Sequence, residues 1–119
     1  MEIEKLLELF NIKDYKITPR GVNIYENVQI SEKIRIKKIP FNINICFGTF
    51  SVIRNDLTTL ENCPRKIYGD FHCGWNKLTS LENGPSYVDG NYYCYENLLK
   101  SNFSNTIVTK RFNTSLKED

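Results

Sequence analysis

The residues of this 119-residue chain best suited to chemistry are four cysteines and one histidine. Cys46, Cys63, Cys73 and Cys94 could form two disulfides or a zinc site, but no two of them make a C-x-x-C pair. His72 precedes Cys73, and neighbouring residues of a strand face opposite sides of a sheet, which argues against a Cys–His nucleophilic pair. We therefore predict four free thiols, no metal and no cofactor.

No enzyme motif accompanies these residues. The chain has no G-x-S-x-G, no glycine-rich phosphate loop and no H-E-x-x-H. Its formal net charge of +2 is too small to indicate nucleic acid or an anionic membrane by itself. We predict that the protein is not an enzyme and that it works by presenting a surface.

The elements that would build this surface follow from a repeat with a step of 21 residues. Leu57-Thr-Thr-Leu-Glu-Asn-Cys-Pro64 returns as Leu78-Thr-Ser-Leu-Glu-Asn-Gly-Pro85, and Gly69-Asp-Phe-His-Cys73 returns as Gly90-Asn-Tyr-Tyr-Cys94. The apolar positions fit a leucine-rich-repeat template. We predict a mainly β fold with a short N-terminal helix, namely a leucine-rich-repeat-like solenoid of 21-residue coils with a narrow parallel sheet and capping strands.

Each repeat position has a predicted structural role. Alternation along the strands places six side chains on the inner face of the sheet: Phe50, Val52, Phe71, Cys73, Tyr92 and Cys94. Four leucines complete the core: Leu57, Leu60, Leu78 and Leu81. A buried ladder of amides is expected from Asn55, Asn76 and Asn97, and tight bends from Gly48, Gly69 and Gly90.

We predict a single domain over residues 1–119. Residues 1–14 form a helical cap, since Ile3, Leu6, Leu7 and Phe10 have helical spacing; the alternative is that this stripe binds a partner or a second copy. Residues 15–45 hold short strands and a degenerate first coil with a looser turn near residues 31–35. Residues 46–101 are the repeats, which are expected to stop at Leu99. Residues 102–119 form a C-terminal cap, with one strand in residues 106–112, and a loose tail.

The outward positions of the predicted sheet carry the candidate binding residues. Aromatic and arginine side chains are enriched at binding hot spots. The predicted partner-binding residues are Ile53, Arg54, His72, Trp75, Tyr93 and Tyr95. In the alternative interpretation, Trp75 and Tyr95 pack sideways on adjacent coils as a surface ladder.

A basic segment offers a second candidate surface. Residues 31–66 hold seven Lys or Arg against three Asp or Glu, a local excess of +4. The candidates for nucleic-acid binding are Lys33, Arg35, Lys37, Lys38, Arg65 and Lys66. The alternative is that these side chains serve only solvation.

The N-terminal sequence, Met1-Glu-Ile-Glu-Lys5, has acidic residues where a signal peptide would be positive, and no apolar run reaches membrane length. We expect a cytoplasmic protein with no membrane partner. We also expect a monomer or a weak homodimer.

The repeats resemble a group of small leucine-rich-repeat-like proteins of bacteriophages and prophages. The resemblance covers residues 5–99 and lies in Tyr15-Lys-Ile-Thr18, Ile36-Lys-Lys-Ile-Pro-Phe41 and the two Leu-Thr-(Ser/Thr)-Leu-Glu-x-x-Pro modules. This chain departs from the usual pattern at Thr49 and Val52. The resemblance implies a phage origin and the cytoplasm of an infected bacterial host.

From this resemblance, the small size, the missing catalytic motifs and the aromatic residues at the outward positions, we expect a non-catalytic inhibitor of a bacterial defence system, such as an anti-CRISPR. Its expected partner is a host defence protein, with a CRISPR effector nuclease or its guide RNA as the first to test. The alternatives are an RNA-binding protein that uses a basic and aromatic face, and a structural phage interaction module.

Overall fold

The computed structural model describes residues 2–99 and 106–114. It is mainly β, with one short helix and a parallel-strand solenoid of about four coils and roughly 21 residues per turn, as the repeat predicts. In chain order the elements are α1 (Ile3–Leu9), β1 (Tyr15–Thr18), β2 (Gly21–Ile24), β3 (Val28–Gln29), β4 (Ile43–Cys46), β5 (Phe50–Ser51), β6 (Lys66–Ile67), β7 (Phe71–His72), β8 (Tyr87–Val88), β9 (Tyr92–Cys94), β10 (Ile107–Val108) and β11 (Phe112–Thr114).

The solenoid has two sheets where the sequence predicted one. Sheet A has the order β1-β2-β4-β6-β8-β10, and sheet B has the order β11-β9-β7-β5-β3. Sheet B is the predicted sheet. Sheet A arises because the chain leaving Pro64 or Pro85 is extended and pairs with the same segment one coil away, as in Lys66 with Tyr87. The local conformation predicted for these segments was right, but their pairing was missed.

The core fills the space between the sheets and the turns that close each coil. All six predicted inner positions of sheet B and all four repeat leucines are buried. Sheet A adds Ile43, Ile67 and Val88, each 0% exposed. Phe50, Phe71, Tyr92 and Phe112 also form a continuous column of rings through neighbouring coils.

The predicted asparagine ladder is confirmed. Asn76 Nδ2 donates to the carbonyl oxygens of Val52, Cys73 and Gly74 at 3.0, 3.1 and 3.1 Å. Its Oδ1 accepts the backbone N–H of Leu57 at 3.0 Å. Asn55 and Asn97 repeat this pattern one coil before and after. Each amide therefore ties its own coil to the preceding one.

The glycines before the strands of sheet B mark the corner between the two sheets. A Cβ on Gly69 would lie 2.5 Å from the backbone nitrogen of Thr49, and one on Gly90 would lie 2.7 Å from the carbonyl oxygen of Gly69. Gly69 and Gly90 are themselves joined by a backbone hydrogen bond of 3.0 Å. Successive coils approach too closely at this corner for any larger residue.

The N-terminal region covers the first coil. Leu7 and Phe10 of the predicted cap are buried, and the Phe10 ring stacks on Phe41 at 5.9 Å. β1 and β2 form an antiparallel hairpin, and β2 then pairs in parallel with β4, so the first coil begins before the predicted strand at Val28. The looser turn expected near residues 31–35 is present: Ile34 N–H bonds to Ser31 O at 3.1 Å, and Arg35 has a φ of 53°.

The array also runs further than the sequence predicted. In place of one capping strand, β10 extends sheet A and β11 extends sheet B. Ile107 pairs with Tyr87 and Phe112 with Tyr92, a step of 20 residues in place of 21. The shorter step and the missing repeat motif hid this coil from sequence inspection. The predicted loose tail after residue 114 lies outside the described residues.

Candidate protein-binding face

The outer side of sheet B brings together five of the six predicted partner-binding residues. Phe71, Cys73 and Tyr92 point into the core, so strand alternation turns His72 and Tyr93 outward. Tyr95 follows on the same side. Arg54 and Trp75 occupy equivalent positions of successive coils, just after the strands. We call the set Arg54, His72, Trp75, Tyr93 and Tyr95 the aromatic face.

The side chains of the aromatic face form one continuous chain of contacts. The Arg54 guanidinium carbon lies 4.8 Å from the centre of the Trp75 ring, which is cation–π geometry. Trp75 meets Tyr95 at 6.0 Å, Tyr95 meets Tyr93 at 5.7 Å, and Tyr93 stacks on His72 at 4.6 Å. The five side chains therefore form one continuous array on the outer side of sheet B.

Backbone conformation helps to set this arrangement. Arg54, Trp75 and Glu96 have φ values of 56°, 52° and 54°, a left-handed conformation that non-glycine residues adopt at a cost of about 1–2 kcal/mol each. Hydrogen bonds between coils hold it: Arg54 N–H bonds to Gly74 O at 3.1 Å, and Trp75 N–H to Tyr95 O at 2.9 Å. The same turn in successive coils thus aligns the cation with the indole ring.

His72 contributes an aromatic ring more than a charge. Its side chain is half-buried beside Tyr93, and this burial lowers the pKa of the imidazole, although the nearby carboxylate of Asp70 acts in the opposite direction. A neutral imidazole stacks on the phenol ring without carrying a buried charge. The face is therefore aromatic at its centre, with Arg54 as the cation at one end.

Ile53 lies at the edge of this face. It is half-buried, and together with Arg54, Gln29 and Lys33 it lines a surface depression of about 400 Å³. Lys33, one of the six basic candidates, thus lines the same depression as Arg54 of the aromatic face.

The six basic candidates fall into two groups in the chain. Lys33 to Lys38 follow sheet B, whereas Arg65 and Lys66 lead into β6 of sheet A. Arg35 lies 3.9 Å from a carboxylate oxygen of Asp56, which Lys77 also approaches at 3.7 Å. The two groups therefore follow different sheets, and a single basic patch that combines them stays a prediction.

A second aromatic cluster was missed. Tyr25, Phe47 and Tyr68 follow successive strands of sheet A, and their rings stack at 5.1 and 5.4 Å with interplanar angles of 9° and 10°. They are 43%, 46% and 42% exposed. The leucine-rich-repeat template treated Phe47 and Tyr68 as apolar repeat positions. Their 21-residue spacing was visible in the sequence, but their exposure depends on the pairing of sheet A.

Neither a metal site nor a membrane segment is found in the part of the chain that the structure describes. No three His, Cys, Asp or Glu side chains among these residues are grouped so that they could hold a metal ion. The single described helix is too short to cross a membrane. Comparisons with protein-family models, with curated proteins and with solved structures gave no match.

Proposed function

We propose that this protein is a non-catalytic binding protein that captures a protein partner on the aromatic face. The observation that carries the proposal is the unbroken contact chain from Arg54 through Trp75, Tyr95 and Tyr93 to His72. Trp, Tyr and Arg are the residue types that dominate binding energy at protein interfaces. Because these side chains are already held in place, a partner would lose little conformational entropy in ordering them.

The exposure of Trp75 favours binding over a purely structural ladder. Its ring contacts Arg54 on one side and Tyr95 on the other, yet it remains 42% exposed. A ladder that served only stability would gain from covering this indole, since buried apolar area contributes about 25 cal/mol per Å². The remaining apolar surface is available to a partner.

For the identity of the partner, we propose a component of a bacterial defence system, which this protein would inhibit by stoichiometric binding. The support is the resemblance of its repeats to phage and prophage proteins, together with the aromatic face. An RNA-guided nuclease of the CRISPR type is the first partner to test, and the proposed location is the cytoplasm of the infected host.

Affinity capture from a defence-bearing bacterium tests both parts of this proposal. Tagged wild type and a Trp75→Ala/Tyr93→Ala variant are compared for the proteins that each retains. We expect the variant to lose the specific partner, because two central rings of the face are removed. Leu98→Ala is the matched control, since it removes a side chain of similar exposure, 41%, from the turn side of the solenoid.

Equal recovery of every protein by wild type and the double variant would refute the aromatic face as the binding site. If wild type captures a partner unrelated to defence and the double variant does not, the aromatic face is the binding site but the proposed inhibitor role is wrong.

A further inference from the structure

The outer side of sheet A is a second surface, separate from the aromatic face, and its strands carry a single sign of charge. None of these six strands contains Asp or Glu. Lys16 and Lys66 lie within strands, while Arg20 is in the turn between β1 and β2 and Arg65 precedes β6. The strands of sheet B contain neither Lys nor Arg, so the cationic strands are those of sheet A. Asp89, which follows β8 of sheet A, accepts a hydrogen bond from the Tyr87 hydroxyl at 2.8 Å.

Arg20 and Arg65 converge although 45 residues separate them in the chain. Together with Pro19, Asn42 and Asn44 they line a depression of about 520 Å³. Within the described residues, the ion pairs closer than 4.0 Å are those of Asp56 with Arg35 and Lys77, so neither arginine of the depression has a carboxylate partner. Glu61 lines an adjoining depression with Arg65, beyond that distance. Two unpaired guanidinium groups at one depression favour a bound anion.

The stacked rings of Tyr25, Phe47 and Tyr68 border the opposite side of this surface; we call them the aromatic ridge. Because the rings are nearly parallel and cover each other's faces, they expose mainly their edges. The edge of an aromatic ring is electropositive and prefers the face of another π system. The ridge therefore suits the flat faces of nucleobases laid across it.

The spacing between the arginines and the ridge matches a chain with anions on one side and bases on the other. Arg65 and Tyr68 are separated by three steps of extended chain, about 10 Å. The pair recurs in Arg20 with Tyr25 on the coil of β2, which lies two coils from β6, so at a spacing of about 4.8 Å per coil the two pairs are about 10 Å apart. Lys66 lies in the chain between Arg65 and Tyr68 and adds a further cation.

We propose that the outer side of sheet A binds single-stranded nucleic acid. The strand runs across the coils, with phosphates at Arg20, Arg65 and Lys66 and with bases against the aromatic ridge. A duplex is disfavoured, because its paired bases cannot turn their faces to the ridge. This site goes beyond the proposed protein-binding function and uses the other sheet.

Fluorescence anisotropy with labelled oligouridylate and oligothymidylate tests the proposal, with a duplex and polyglutamate as comparison ligands. We expect both single strands to bind at about 50 mM salt and to weaken as salt is raised. Arg20→Glu/Arg65→Glu should weaken binding by roughly tenfold or more. It should also reduce the salt slope by about 1.4, because each phosphate that an arginine neutralises contributes about 0.7 to the slope. Phe47→Ala should weaken the single strands while its melting curve shows a folded protein.

Lys37→Glu/Lys38→Glu is the matched control, because it makes the same charge change on exposed residues of another side of the coil. It should leave the affinity within about twofold of wild type, which corresponds to about 0.4 kcal/mol. Equal weakening by the two charge-reversal variants, equal affinity for duplex, or equal affinity for polyglutamate would each overturn the proposal. Absence of single-strand binding by folded wild type at low salt would also overturn it.

Discussion

Among the individual residues, the buried asparagines link each coil to the preceding one by hydrogen bonds. Asn76 shares the two hydrogens of its amide nitrogen among three carbonyl oxygens and uses its amide oxygen for one N–H, so a single side chain bonds to four backbone groups. Leaving a buried polar group without a partner costs about 1–3 kcal/mol. Only an amide has both the donors and the acceptor that this position requires.

We therefore predict that Asn76→Asp destabilises the protein despite its nearly identical shape. The substitution replaces the donor Nδ2 with an oxygen that faces the carbonyls of Val52, Cys73 and Gly74. The loss in unfolding free energy should exceed the roughly 1–3 kcal/mol expected for one unsatisfied buried group, since a buried carboxylate adds its own desolvation cost. Denaturant unfolding measures the difference.

Asn83→Asp provides the control at an exposed position with a φ of 67°, a conformation that Asp tolerates. Equal denaturation midpoints for Asn76→Asp and Asn83→Asp would show that the ladder contributes little to stability.

At the scale of elements, each strand is too short to be stable by itself and depends on its neighbours in the adjacent coils. β6 and β7, for example, have two residues each. Their pairing partners are the same elements one coil earlier and later, at a constant register. The Leu-x-x-Leu segments close each coil by burying two side chains, as Leu78 and Leu81 do.

This arrangement predicts opposite outcomes for two adjacent positions. Leu78→Asp should unfold the protein, because Leu78 is fully buried and an unpaired buried carboxylate costs several kcal/mol out of a total of about 5–15 kcal/mol. Thr79→Asp should be nearly silent, because Thr79 is exposed. Thermal melting followed by circular dichroism distinguishes the two, and similar melting curves would mean that the assigned register is wrong.

At the scale of the whole molecule, the two sheets give the solenoid two outer surfaces of different chemistry. Sheet B carries the aromatic face with mixed charge, and sheet A carries unpaired cations beside the aromatic ridge. The core between them consists of apolar side chains, buried thiols and the asparagine ladder. Because that core separates the sheets, the aromatic face and the surface of sheet A can be altered independently.

Whether the cysteines are free thiols tests whether packing and hydrogen bonds hold this core without disulfides or zinc. All four are free and buried; burial raises the pKa of Cys46 to about 11 and also raises the pKa values of Cys63 and Cys73. The thiolate is the reactive form, so we predict very slow labelling of the native protein near pH 7 and four titratable thiols after denaturation.

Thiol titration in the presence and absence of denaturant, together with zinc analysis, measures this. Stoichiometric zinc, or fewer than four thiols in the denatured protein, would contradict a core held only by packing and hydrogen bonds.

The repeat and most of its buried positions were predictable from the pattern of residues alone. The step of 21 residues, the inward alternation at Phe71 and Cys73, and the amide at Asn76 were predictable because identical coils must place identical side chains in the same local environment. Strand alternation also predicted that Tyr93 and Tyr95 point outward, whereas the outward position of Trp75 depends on the left-handed turn that follows the strand.

Which separate segments of the chain meet could not be predicted from the repeat and depends on how the coils stack. The pairing that creates sheet A, the exposure of Phe47 and Tyr68, and the convergence of Arg20 with Arg65 depend on contacts between residues about 20 to 45 positions apart. Whether the six basic candidates face one side of the solenoid or two depends on where the chain turns between β3 and β6. Local pattern fixes whether a side chain points inward or outward, but the stacking of coils determines which outward side chains become neighbours.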